Sequence, residues 1–166
     1  MDIFAHAAIS FIAFHWMRRW WLAILFGVLP DIMSWGVYVA YSIINGGAFG
    51  PPNLAQIPAW TFMLYGISHS LIVWGLVVAV LYFSLKKFPY YVLAAPLAIS
   101  IDVLTHSRDF LPTPFLWPLS EWRFPGIQWG QEWFIVTYWT LIIIGIAAVM
   151  FYKYRKRLQN AGNKKR

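Results

Sequence analysis

The stretch WWLAILFGVLPDIMSWGVYVAYSII, residues 20–44, decides the fold. It is apolar almost throughout, with a single charged side chain, Asp31, and a single proline, Pro30. A helix rises about 1.5 Å per residue, so roughly 20 such residues cross a hydrocarbon core about 30 Å thick. This run is long enough. The rest of the chain agrees with it: of 166 residues, 60% are hydrophobic and 11% charged, and mean hydropathy is +0.58. A soluble domain of this size has too little interior for so much apolar surface. The expectation is an all-α integral membrane protein. There is no cysteine, which excludes disulfides and thiolate metal sites and leaves nitrogen and oxygen as the only metal donors.

Working outward from this run, four more spans can be drawn, at residues 2–17, 58–85, 88–107 and 131–152. The intervening NGGAFGPPNLAQIP and SRDFLPTPFLWPLSEWRFPGIQWG are rich in Gly, Pro or Trp, as interfacial loops are. The first span is short and lacks the basic start and cleavage pattern of a signal peptide. Basic residues give the direction. Arg18 and Arg19 follow the first span and Lys86 and Lys87 the third. Lys153, Arg155, Lys156, Arg157, Lys164, Lys165 and Arg166 follow the fifth. Five spans place all three groups on one side, which the positive-inside rule makes cytoplasmic. The expected molecule is a single bundle of about five transmembrane helices over residues 1–152. Its N-terminus is external, and residues 153–166 form a basic cytoplasmic tail. The net charge of +7 is then a matter of topology, and no nucleic-acid partner is expected. The expected location is the plasma (inner) membrane, multi-pass, with membrane lipids as neighbours.

The polar residues inside these spans share a level. In ISIDVLTHSRDF, residues 99–110, Asp102 and His106 lie four apart, one helical turn, on one face. Measured from the nearest cytoplasmic charge, His6, Asp31, His69, Asp102 and His106 stand about 18 to 29 Å up, in the outer half. An ionisable group in hydrocarbon costs roughly 2.5–3.5 kcal/mol on insertion scales, so it faces a partner or a cavity. Three imidazoles and two carboxylates converging from four spans make a nitrogen–oxygen site for a divalent metal, zinc first, with Mn or Fe as alternatives. The plainer reading is a set of interhelical hydrogen bonds. His15, beside Arg18 and Arg19, reads as an interfacial residue. Asp2 reads as a headgroup-level residue or a helix start, and Glu132 as a helix start. Ser34, Ser68, Ser70 and Thr105 read as backbone-bonded hydroxyls. Arg108 and Arg123 either meet a substrate phosphate or pair with Asp109, Glu121 or lipid headgroups. Trp117, Trp122 and Trp129 seat the last external loop at the interface.

The motifs FAHAAISF, GVLPDIMSW, YGISHSLIVW and IDVLTH, followed by PTPFLWPLSEWRF, cover most of the chain up to about Gly130. In this order they resemble the membrane-bound metal-dependent hydrolases, among them the LexA-regulated inner-membrane hydrolases. That resemblance implies a multi-span helical protein in which His6, Asp31, His69 and Asp102 bind metal. Two positions depart from the family pattern. Met33 stands where LPDID carries its second aspartate, and Ala98 stands where a histidine commonly precedes the fourth motif's aspartate. His106, on the other side of Asp102, is placed to substitute. The order of His, Pro-Asp, His and Asp is also similar, more loosely, to zinc-dependent phospholipases C.

The function expected from these residues is hydrolysis of a lipid or lipid-linked ester or phosphodiester at the outer leaflet. His6 and His69, with Asp31 or Asp102, hold the metal. The other carboxylate orients water or acts as base, and His106 is a further ligand or the general acid. Two other classes use the same residues: a cation or proton transporter, and a non-catalytic membrane subunit stabilised by metal. Proteoliposome flux distinguishes the first, and metal binding without turnover the second.

Overall fold

The computed structural model describes residues 1–47, 56–109 and 111–163. Expectations for the loop at 48–55 and for Lys164, Lys165 and Arg166 lie outside the described residues. Those residues contain no strand. The chain folds as α1 (Ile3–Phe14), α2 (Trp20–Asp31), a π-helical turn (Ile32–Gly36), α3 (Val37–Ile44), α4 (Ala59–Ser68), α5 (Leu71–Leu85), a 3-10 turn (Tyr90–Leu93), α6 (Ala94–Thr105) and α7 (Glu132–Asn163).

Among the described residues, two helices are long and apolar enough to cross a membrane. They are Trp20–Ile44, continuous through the π turn, and Glu132–Ala161. A third arises if Ala59–Ser68 and Leu71–Leu85, bent by 50° at their junction, are counted together. The expected five spans are thus matched by two or three. The segments drawn at 2–17 and 88–107 are shorter apolar helices, Ile3–Phe14 and Tyr90–Thr105. At about 1.5 Å per residue, the 12 residues of α1 reach only part of the way through a bilayer core. α7 passes through the basic residues at 153–157 without a break, so residue 152 marks a change in charge and not the end of an element.

The surface is inverted relative to a soluble protein. Large apolar side chains such as Phe4, Ile44, Leu76, Phe83, Val136 and Leu141 are exposed, while His6, Ser10, Ser34, Thr61, His69, Asp102 and His106 are buried. Contiguous apolar surface on this scale suits lipid rather than water. The interior holds two apolar clusters. Trp74, Val92, Ala95 and Ile99 join α5 and α6, and Ala5, Tyr138 and Ile142 join α1 and α7.

Packing of α1 on α2 is close because Gly27 has no side chain. A Cβ there would stand 1.9 Å from Ser10 Oγ. The two helices run antiparallel, and His6 and Asp31 each lie four residues beyond this contact, in the same direction. The close approach therefore brings His6 opposite Asp31. At the start of α1, Asp2 caps the helix by accepting from the Ala5 N–H at 2.9 Å. Its other oxygen accepts from Tyr138 Oη at 2.6 Å, which ties α1 to α7.

The break between α4 and α5 falls at the SHS motif. His69 ends α4 and Ser70 caps α5, its Oγ accepting from the Ile72 and Val73 N–H groups at 3.2 Å. Trp74 Nε1 donates to the Ser68 carbonyl at 2.7 Å, and the Leu71 N–H donates to the Phe115 carbonyl at 2.9 Å. Backbone groups freed by a break inside an apolar bundle need such partners. At the end of α6 the returning loop does the same work. Ile127 and Trp129 donate their N–H groups to the carbonyls of Leu104 and Thr105 at 2.9 Å. Gly126 makes that approach possible, since a Cβ there would lie within 2.6–2.7 Å of three carbonyl oxygens.

Candidate metal centre

The five residues singled out in the sequence converge. His6 comes from the first turn of α1, Asp31 from the last position of α2, His69 from the α4–α5 break, and Asp102 and His106 from the last turn and C-cap of α6. His6 Nε2 is 3.0 Å from Asp102 Oδ1 and 3.9 Å from Asp31 Oδ2. His69 Nε2 is 3.3 Å from Asp31 Oδ1 and 3.7 Å from Asp102 Oδ2. His106 Nε2 is 3.8 Å from Asp102 Oδ1. Although α6 ends at Thr105 and His106 is extended, its N–H still bonds the Asp102 carbonyl at 3.0 Å, which keeps the ring beside the carboxylate.

Donor distances fit a metal. An ion bound tetrahedrally at roughly 2.0–2.2 Å holds its ligand atoms about 3.3–3.6 Å apart. The separations above bracket that range. His6, Asp31 and Asp102 offer ligand atoms that all lie within 4.8 Å of one another, and this buried group could hold a metal ion.

Tautomers fit as well. Ser68 Oγ lies 2.9 Å from His69 Nδ1 and 3.5 Å from the Tyr65 carbonyl, so when it donates to that carbonyl it accepts from Nδ1–H. In that tautomer the His69 Nε2 lone pair faces two carboxylates, and among the described residues this buried atom has no hydrogen-bond partner. A lone pair opposed to carboxylate oxygens is repulsive unless a cation lies between them. His106 is set the same way. Its Nδ1–H donates to the Leu111 carbonyl at 2.9 Å and Nε2 points at Asp102. Ring nitrogens anchored on the outer side commonly orient metal-binding histidines. His6 is different: Nε2 donates to Asp102, and Nδ1 is buried without a partner among the described residues.

Several participants carry no sequence signal of their own. The Met1 amino group forms an ion pair with Asp102 Oδ1 and lies 3.0 Å from His106 Nε2, so a positive charge already rests on this corner. Tyr65 stacks against His69 with ring centroids 4.1 Å apart, and its hydroxyl reaches His106 Nδ1 at 3.1 Å and Thr113 Oγ1 at 3.3 Å. Its position four residues before His69 is the one hint available in the sequence.

Access is lateral. His6, His69 and Asp102 are 1–2% exposed, whereas the Asp31 side chain is 16% exposed. It opens into a recess of about 360 Å³ lined by Met1, Ile3, Trp35, Gly36 and Val39. A second recess, of about 260 Å³, lies beyond Tyr65 and is lined by Phe62, Gly66, Leu111, Trp117 and Arg123 among others. Trp35, which lines the first, and Tyr65, which lines the second, are in contact with ring centroids 5.9 Å apart.

The remaining residues divide as follows. His15 bonds the Ile12 carbonyl at the far end of α1, and Glu132 starts α7. Ser34 Oγ bonds the Pro30 carbonyl, while buried Thr105 Oγ1 has no partner among the described residues. Arg108 Nε donates to the Arg123 carbonyl. Among the described residues neither arginine is ion-paired with Asp109 or Glu121. Among known protein families, curated proteins and solved structures, none matches this chain.

Proposed function

We propose that this chain is a multi-pass inner-membrane, metal-dependent hydrolase. Its substrate is a lipid or a lipid-linked ester or phosphodiester of the outer leaflet. The observation that carries the reading is the cluster of three histidines and two aspartates, whose least buried member, Asp31, opens into a recess with an apolar rim. Water-soluble substrates have no need of such a rim, whereas an acyl-bearing substrate finds in Ile3, Trp35 and Val39 surroundings like its own. The resemblance to membrane-bound metal-dependent hydrolases supports the same reading. In this arrangement five helical passes, two of them short, put the N-terminus outside and the basic end of α7 in the cytoplasm.

His6, His69, Asp31 and Asp102 would hold the ion, with zinc favoured by the donor set. A bound ion of this kind supplies Lewis acidity and brings the pKa of a water toward neutrality. Asp31 meets the incoming water at the inner end of the recess and orients it by accepting a hydrogen bond. Ser68 and the Leu111 carbonyl fix the two imidazoles, so that little reorganisation accompanies the reaction. Arg123, half-buried on the second recess, is placed to receive an anionic headgroup by bidentate contact.

The test uses the full chain purified in detergent, stripped of metal and reloaded with zinc, with mixed phospholipid vesicles as substrate. Release of a headgroup or acyl fragment that requires metal and is lost in Asp31→Asn is the expected result. Flux of protons or cations through proteoliposomes, with no lipid product, would replace this reading with transport.

A further inference from the structure

We propose that the end of the bundle opposite the histidine–aspartate cluster binds the headgroup of an anionic phospholipid, seated at Lys153 and Arg157 of α7. The inference goes beyond the hydrolase reading and does not depend on it. Charge is segregated along the chain. The acidic residues are Asp2, Asp31, Asp102, Asp109, Glu121 and Glu132, and none follows Glu132. Apart from Arg108 and Arg123, the described basic residues form three groups: Arg18 and Arg19, Lys86 and Lys87, and Lys153 with Arg155, Lys156 and Arg157. Among the described residues none of these cations is ion-paired with a carboxylate. The fold draws the groups to one end. Lys153 Nζ lies 5.0 Å over the Phe11 ring and 5.8 Å over the Trp20 ring, and the His15 and Tyr152 rings are 6.2 Å apart. These contacts set the basic stretch of α7 against the end of α1 and the start of α2, which flank Arg18 and Arg19. Trp16 meets Tyr90 at 6.1 Å, and Tyr90 meets Phe88 at 4.9 Å, which adds the turn that follows Lys86 and Lys87. α1 runs from His6 toward this end and α2 runs from it toward Asp31, so the metal cluster lies at the other end.

Cations gathered without carboxylates attract anions from outside the chain. The surroundings say which kind. Trp16, Trp21, Tyr90 and Tyr154 are exposed at this end, and Trp and Tyr collect at the headgroup level of a membrane. A recess of about 410 Å³ lies here, lined by Met150, Lys153, Tyr154 and Arg157. Their spacing places them on one stripe of α7, with Lys153 and Arg157 one turn apart. Arg157 stands about 10 Å farther along the helix axis than Met150, so the recess runs from the apolar part of α7 into its basic part. A guanidinium takes a phosphate by bidentate contact, and an ammonium adds a point charge. Met150 offers apolar surface to the acyl chains. An amphiphile with an anionic head uses both ends of this gradient, whereas a free anion uses only the basic one.

The measurement is binding of short-chain phosphatidylglycerol to the full, metal-free chain in neutral detergent, followed by native mass spectrometry. Short-chain phosphatidylcholine is the zwitterionic comparison. The expected result is tighter binding of phosphatidylglycerol, by a margin that shrinks as salt is raised. The double variant Lys153→Gln with Arg157→Gln should weaken that binding by about 30-fold. Arg155→Gln with Lys156→Gln removes the same charge outside the stripe and should leave it within about threefold. Helicity by circular dichroism is the folding control for both. Losses that are equal in the two variants, or absent from both, overturn the recess as the site. Equal binding of the two lipids by the unaltered chain overturns the proposal without any variant. Displacement of phosphatidylglycerol by an equal concentration of inorganic phosphate overturns the lipid in favour of a free anion. The hydrolase reading stands or falls on metal-dependent turnover and is untouched by each of these outcomes.

Discussion

At the scale of single residues, the cluster depends on what lies behind each ligand. Ser68 Oγ bonds His69 Nδ1, and the Leu111 carbonyl accepts from His106 Nδ1–H, which turns the His106 Nε2 lone pair inward. Loss of such an outer partner typically costs 10–100-fold in metal affinity. Ser68→Ala should therefore weaken zinc binding by about that factor, read by competition with a chromophoric chelator, while leaving stoichiometry unchanged. His106→Ala should lower metal content if the imidazole is a ligand. If His106 is instead the acid for the leaving group, metal content stays and turnover falls. The variant with both unchanged would return His106 to a helix cap. The spacing of Asp102 and His106 was legible in the sequence, since i and i+4 meet on a helix. The tautomers were not, because Ser68, Leu111 and Thr113 acquire their roles only when a helix break and a returning loop bring them to the rings.

At the scale of elements, hydropathy located the apolar segments but not their interruptions. The run at Trp20–Ile44 is continuous as read, yet it contains a π turn at Ile32–Gly36, immediately after Asp31. Pro30 lacks an N–H for the helix ladder, and Ser34 Oγ bonds the Pro30 carbonyl at 3.0 Å. Such turns are frequent at functional sites, and this one forms part of the recess beside Asp31. The third apolar segment reads as one span because every residue around SHS is compatible with a helix. Capping by Ser70 and the bonds from Trp74 and Leu71 are what allow the 50° bend. Gly27 gives a direct test of element packing. Gly27→Ala places a methyl group against Ser10 and should cost about 1–3 kcal/mol by overpacking. Thermal unfolding in detergent should show the loss, and Ser10→Gly in the same chain should recover part of it. If Gly27→Ala leaves the melting temperature unchanged, the close contact that brings His6 to Asp31 is misplaced.

At the scale of the whole molecule, the exposure of large apolar side chains was legible from composition, and the approach of the five site residues to one another from their spacing to the flanking charges. The number of full crossings was not. Positive-inside counting treats each apolar run as a complete pass, while α1 and Tyr90–Thr105 are short helices held within the bundle by their neighbours. The proposed orientation predicts that, in intact cells, an impermeant reagent labels cysteine placed at Asn53 but not at Asn163, and the reverse pattern would invert the molecule. The central claim is a metal centre buried among these helices, and anomalous diffraction at the zinc edge from crystals grown in lipid tests it most directly. The account predicts an anomalous peak within about 2.0–2.2 Å of the His69 Nε2 atom and of carboxylate oxygens from Asp31 and Asp102. Zinc-loaded crystals with no peak between those side chains, or with a peak bound only elsewhere on the molecule, would contradict it.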